Sequence, residues 1–210
     1  MRHYMLPLVL VSINASCASD VNEESASDLL EHLGYQVEPL TLRGSVEAGG
    51  DIMSFDGTAQ EIEAQIRHVK RDFSWKDFHS DRPAREESIL SQRYMKTQTL
   101  CHVQGLPSGD KTALEAAKEW LHQLNYGITA DAQTCRRIWC DQGAALWLCN
   151  DNLVWKEENS VDLEGLVNLI LEEESCKDSD NPNKVQGQTF ALDYNYNVLF
   201  AGKEECPIPA

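Results

Sequence analysis

Six cysteines, Cys101, Cys135, Cys140, Cys149, Cys176 and Cys206, fall between positions 101 and 206 of this 210-residue chain, and they constrain its fold more than any other feature. A seventh, Cys17, sits in an N-terminal leader. An even cysteine set behind a secretion signal reads as a disulfide framework. In a reducing compartment the same spacing would point to metal or redox chemistry. Six cysteines allow fifteen pairings, and sequence alone selects none of them. Cys101 and Cys206 bracket the region, and if they pair they close a loop of about 100 residues, with a loop-entropy contribution of roughly 4–5 kcal/mol.

The leader decides which environment applies. Arg2 and His3 begin it, Met5 to Ile13 is apolar apart from Ser12, and Ala15-Ser16-Cys17-Ala18 offers small residues to a peptidase. The apolar run is about half the roughly 18–20 residues of a spanning helix, and its order of regions is that of a secretory signal. Cleavage after Ala18 is expected, which removes Cys17 and leaves a secreted, extracellular chain with an even six. The alternative is a retained, lipid-modified Cys17, but Asn14-Ala15-Ser16 before it does not form a lipobox. No later segment is apolar enough to anchor the chain in a bilayer.

Charge narrows the partners. The formal charge of −16 is spread over both halves, with sixteen acidic against nine basic residues in 19–96 and eighteen against eight in 97–210. Such a surface repels phosphate backbones and anionic headgroups, so nucleic acid is not an expected partner, and the protein is expected to be a monomer in solution.

Residues 19–96 hold no cysteine and are expected to form a small folded unit or a propeptide. Ser25 is placed to cap a short helix with Leu29, Leu30 and Leu33 on one face and Gly34 as its stop. Val37 to Leu42 reads as extended. Thr58-Ala59-Gln60-Glu61 is a capping box before a helix marked by Ile62, Ile66 and Val69. From Asp72 to Arg93 the pattern breaks, with scattered aromatics at Phe73, Trp75 and Phe78, and a boundary is expected there. Lys70-Arg71 is either a dibasic processing site or the basic last turn of the preceding helix.

From Thr97 to Ala210 a six-cysteine domain is expected. Thr97 to Val103 suits a strand, and Ala113, Leu114, Ala117, Trp120, Leu121 and Leu124 trace a helix face ended by Gly127. Ala144 to Cys149 reads as a buried strand, and Ser160 as the cap of a helix carrying Leu163, Leu166, Val167, Ile170 and Leu171. Gln188 to Leu192 and Asn197 to Ala201 read as a hairpin around the polar turn Asp193 to Tyr196. The order strand, helix, strand, helix, strand, strand predicts an α+β fold, an antiparallel sheet with two helices on one face, stabilised by disulfides.

The constellations that signal chemistry are weak. Gly105 to Thr112 resembles a phosphate loop, but Asp110 stands where glycine is required and would repel the phosphate. Cys135, Cys140 and Cys149 lack the paired knuckle and nearby histidine of a zinc site. Asp178 to Asn183 departs from a calcium loop at Pro182 and lacks its terminal glutamate. No Gly-x-Ser-x-Gly, His-Glu-x-x-His or Cys-Gly-x-Cys-Trp element is present. Neither a cofactor nor catalysis is expected. Of Trp139, Trp147 and Trp155 most are expected in the core, packed against disulfides, while one or two, Trp155 named among them, with Tyr194 and Tyr196 at the hairpin tip, are candidate partner contacts.

Cys135-Arg136-Arg137-Ile138-Trp139-Cys140, with Ala144 to Asn152 after it, resembles a stretch of the small cysteine-rich secreted proteins of filamentous fungi. Val185 to Phe190, Tyr196 to Leu199 and Cys206 are similar to their closing segment, and Gly57 to Ile62 to an element upstream. By fold analogy the layout is also similar to killer-toxin-like α/β sandwiches. The resemblance implies an effector-like protein that binds a host or competitor macromolecule without turnover. The alternatives are a killer-type toxin acting on competing microbes and a secreted hydrolase.

Overall fold

In the computed structural model of the chain, residues 25–81, 96–124, 126–192 and 194–207 are described. The leader, its cleavage point after Ala18, Cys17 and Arg82-Pro83 lie outside them. The fold is α+β, with four α-helices among the described residues: α1 (Ala26–His32), α2 (Ala59–Val69), α3 (Lys111–Leu124) and α4 (Ser160–Glu172). The strands are β1 (Gln36–Ser45), β2 (Met53–Gly57), β3 (His79–Ser80), β4 (Thr97–Cys101), β5 (Gly109–Asp110) and β6 (Gly127–Ala130). They continue with β7 (Thr134–Asp141), β8 (Ala144–Asn150), β9 (Lys156–Asn159), β10 (Lys184–Val185), β11 (Gly187–Ala191) and β12 (Tyr196–Gly202).

One mixed sheet organises the molecule in the order β2-β1-β7-β8-β12-β11-β4. Every pairing along it is antiparallel except β1 with β7, where Val37 lies beside Cys135 and Pro39 beside Arg137. β3 pairs with Gly44 and Ser45 farther along β1. Two small ladders, β5 with β10 and β6 with β9, stand apart. The cysteine-free segment is therefore not a separate layer. Its β1 sits between β2 and the central strand β7, and Leu40, Leu42, Ile62 and Ile66 share one core with α3 and α4. The break expected from Asp72 onward is also packed as far as it is described. Phe73, Trp75 and Phe78 meet edge to face, Trp75 touches Trp120 at 5.8 Å and Phe78 touches Tyr126 at 5.9 Å between ring centroids. These aromatics follow no strand or helix period, which hides their burial from sequence.

The helix expectations rest on periodicity and hold. The six apolar positions of α3 are all buried. Both arms of the capping box at α2 form, with Thr58 N–H donating to Glu61 Oε2 at 2.8 Å. At α1 the Ser25 hydroxyl accepts Asp28 N–H, but Leu33 is more than half exposed and only Ala26 and Leu30 are buried. At α4 the cap is Asn159 rather than Ser160, because the Ser160 hydroxyl is turned inward to accept Tyr126 N–H.

The expected strand order is corrected in its centre, where β6, β7 and β9 had no clear alternation. In β7 the cause is visible: a bulge between Arg137 and Trp139 places Ile138 and Trp139 on the same side and breaks the two-residue period. Arg136, which reads as a surface residue, is buried between the carboxylates of Glu38 and Asp131, each 3.2 Å from its Nη2. The two helices of the six-cysteine domain, α3 and α4, lie on one face as expected, and the N-terminal segment adds α2 and α1. Three helices, α2, α3 and α4, cover one face, and α1 with the C-terminal tail covers the other, over Cys135, Trp147, Cys149 and Leu199.

Asp110 explains why the glycine-rich stretch is no phosphate loop. Its Oδ1 accepts the backbone N–H and the hydroxyl of Thr112, at 2.8 and 2.7 Å, and so caps α3 from within. The Thr112 hydroxyl and then its N–H hold the Asp110 carboxyl below the usual range. Gly109 lies so close to β8 and β12 that a Cβ there would stand 2.6 Å from Ala144 Cβ.

Candidate binding surface

The six domain cysteines form three bonds: Cys101–Cys176, Cys135–Cys149 and Cys140–Cys206. The expected candidate tie between Cys101 and Cys206 is not made. Cys135 and Cys149 are directly opposite on β7 and β8, Cys140 holds the C-terminal tail, and Cys101 ties an edge strand to the turn after α4. Among the described residues no group of three or more His, Cys, Asp or Glu side chains is placed to hold a metal ion, and no helix is long and apolar enough to cross a membrane.

The framework fixes one end of the sheet, where β8 leads to β9 and β11 leads to β12. There Leu153 is 81 % exposed, Val154 60 % and Trp155 59 %, with Tyr194 exposed in the neighbouring turn. Apolar side chains in that setting would normally collapse inward, but the backbone beneath them is held. Asn150, 1 % exposed, donates through Nδ2 to the carbonyls of Ala130, Asp131 and Val154 at 3.1, 2.9 and 2.9 Å. Its Oδ1 accepts Asn152 N–H and Nδ2, and Asn152 Nδ2 also donates to the carbonyls of Tyr194 and Asn195 at 3.0 Å. Asp151 takes the Tyr35 hydroxyl at 2.5 Å and Asn197 Nδ2 at 3.0 Å. Burial, followed by the bond to Asp151, pushes the Tyr35 hydroxyl pKa up. Three successive Asx residues thus lock the loop to the hairpin turn.

Compared with known proteins, the chain matches no family model, no curated protein and no solved structure. The surface must therefore be read from its own residues.

Of the three expected contact residues, Trp155 and Tyr194 are on this surface and Tyr196 is not. Tyr196 opens β12 and is 1 % exposed, because the chain turns just before it, with the Tyr194 and Asn195 N–H groups donating to the Ala191 carbonyl and Asn195 at φ 52°. It stacks obliquely under Tyr194 at 6.3 Å, and burial raises its pKa, reinforced by Glu158 and Asp162. Sequence missed Leu153 and Val154, which directly precede Trp155. Of the other central tryptophans, Trp147 is buried and Trp139 packs against the core.

Asp162, beneath this end in the first turn of α4, is 6 % exposed, and its Oδ1 has no hydrogen-bond partner. Burial pushes its carboxyl up to about 6. The folded protein therefore holds this proton more tightly than the unfolded chain does. The contribution to stability is full below the ordinary carboxyl pKa and is lost as pH rises through about 6. Asp162→Asn is expected to raise stability near neutral pH by about 1–3 kcal/mol and to change it little near pH 4. Urea melts of both proteins at the two pH values test this, and an equal gain at both would refute it.

Proposed function

We propose that this protein works outside the cell by binding another protein, in the manner of a fungal effector, and that its contact residues are Leu153, Val154, Trp155 and Tyr194. The observation that supports this most directly is an exposed aliphatic and aromatic set on backbone already fixed by the Asn150–Asn152 bonds. Rigid aromatic anchors lose little entropy on binding and dominate interface energetics. The partner is a host or competitor protein with an apolar pocket in a basic surround, since the chain carries −16 and Glu157 and Glu158 follow Trp155 after the single cation Lys156.

A photoreactive residue in place of Leu153 should give one discrete adduct with an extracellular host protein. With that protein purified, Trp155→Ala should weaken binding by about 30-fold or more, the cost of losing a hot spot of about 2 kcal/mol. Ile52→Ser, exposed just before β2 where that strand meets Gly44 at the far end of β1, should leave binding unchanged. An adduct whose affinity ignores Trp155, or turnover on proteins, glycans or esters lost in a folded point variant, would defeat the proposal. Killing of test yeasts without any host would transfer the reading to a toxin.

A further inference from the structure

The sheet face opposite α2, α3 and α4 holds a cavity of about 260 Å³. Its floor is a row in register across three strands, Pro39 of β1 beside Arg137 of β7 beside Trp147 of β8. Ser27 of α1 lines it, as do Gly57 and Thr58 at the corner before α2. That corner needs glycine, since Gly57 has φ +136° and a Cβ would meet Glu61 Cβ at 2.8 Å.

Among the described residues Arg137 is the one cation lining this cavity. Its guanidinium lies over the Trp147 ring, 5.7 Å from the centroid, and Nη1 donates to the Glu205 carbonyl at 3.2 Å. Its Nε and Nη2 make no hydrogen bond among the described residues, although its charge is felt by the nearby Glu204 carboxylate. The nearby carboxylates are already committed. Glu38 pairs with Arg136, Glu61 accepts the Thr58 N–H and hydroxyl, and Glu204 accepts the N–H groups of Ala26 and Ser27 at 2.7 and 3.2 Å. Trp147 Nε1 is buried without an acceptor.

We infer that this cavity binds a small organic monocarboxylate, with its anionic end on Arg137 and its apolar body against Val37 and Pro39. Size sets the upper limit: pockets for drug-sized ligands span about 300–1,000 Å³, so this one takes a smaller molecule. Charge sets the class. A planar guanidinium with two uncommitted donors matches a carboxylate. A phosphate, with a charge of about −1.5 to −2, faces Glu61 and Glu204 with only one arginine to offset them.

Benzoate is the probe, with benzamide as its neutral counterpart and inorganic phosphate as the competing anion, each titrated into the disulfide-bonded protein and followed by NMR. The Trp147 Nε1–H signal, assigned by its loss in Trp147→Phe, should shift and saturate with benzoate and not with benzamide. Arg137→Gln should weaken benzoate binding about ten-fold or more, and Arg137→Lys should weaken it less, because it keeps the charge without the fork. Arg137 is partly exposed, so both variants are expected to fold. No saturable shift with benzoate, undiminished binding by Arg137→Gln, or tighter binding of phosphate would each overturn the inference.

Discussion

Replacing Cys140 and Cys206 together by alanine is expected to lower stability by about 4 kcal/mol and the melting temperature by about 8–16 °C. The bond closes a loop with a sequence separation of 66, long enough for the unfolded chain to gain substantial freedom when it is cut. The native state loses something as well. Two residues before Cys206, Glu204 is 5 % exposed and accepts two amides at the start of α1, so an unbound tail frees that helix to leave Leu30 and Trp147 uncovered. Burial already pushes the Glu204 carboxyl up, and its bonds to Ser27 and Ala26 partly offset this. Removing Cys135–Cys149, with a separation of 14, should cost about 3 kcal/mol or less, since directly opposed strands hold the same residues. Urea unfolding of the two double variants settles the order; a larger loss for the short loop would show that closure entropy is not the leading contribution.

Asn150→Ala should cost about 3–4 kcal/mol, more than its small volume suggests. Its amide satisfies three carbonyls and accepts two donors, and buried polar groups left unpaired cost about 1–3 kcal/mol each, offset where water reaches them. The effect should be local in one respect. Amide exchange at Leu153 to Trp155 and at Tyr194 should accelerate by far more than in α3 or β8, because Asn150 and Asn152 tie those two loops together. Partner affinity should fall with it although every contact side chain is intact. Uniform acceleration across the molecule, with binding retained once the protein is folded, would count against a preorganised surface.

What sequence made legible followed repeating chemistry. The apolar period of α3, the capping box of α2 and the hairpin of β11 and β12 lay within single segments, and each formed, the hairpin with its register one residue earlier than expected. What stayed hidden depended on partners far away in the chain. Arg136 is buried only because Glu38 and Asp131 meet it, and the bulge in β7 removes the alternation that would have marked the central strand. Trp155 was visible as a candidate contact. Tyr196 was not separable from Tyr194, because one residue of hairpin register decides which ring enters the core. Leu153 and Val154 are exposed only through the asparagine bonds beneath them, which a hydrophobicity pattern does not carry.

All three disulfides lie within residues 101–206, so no covalent crosslink joins the segment before β4 to the rest. Cleavage after Arg71 would nonetheless leave a two-chain particle. Lys70 Nζ is anchored on the Val46 carbonyl and Asp77, and β1 stays hydrogen-bonded along β7 with four core side chains behind it. Processing at the dibasic pair would produce a noncovalent complex that splits only under denaturation, even unreduced. If the segment were stripped away, it would bare the edge of β7, the kind of edge that recruits other strands. The N-terminal portion thus completes the sheet beside β7, as a complementing strand would.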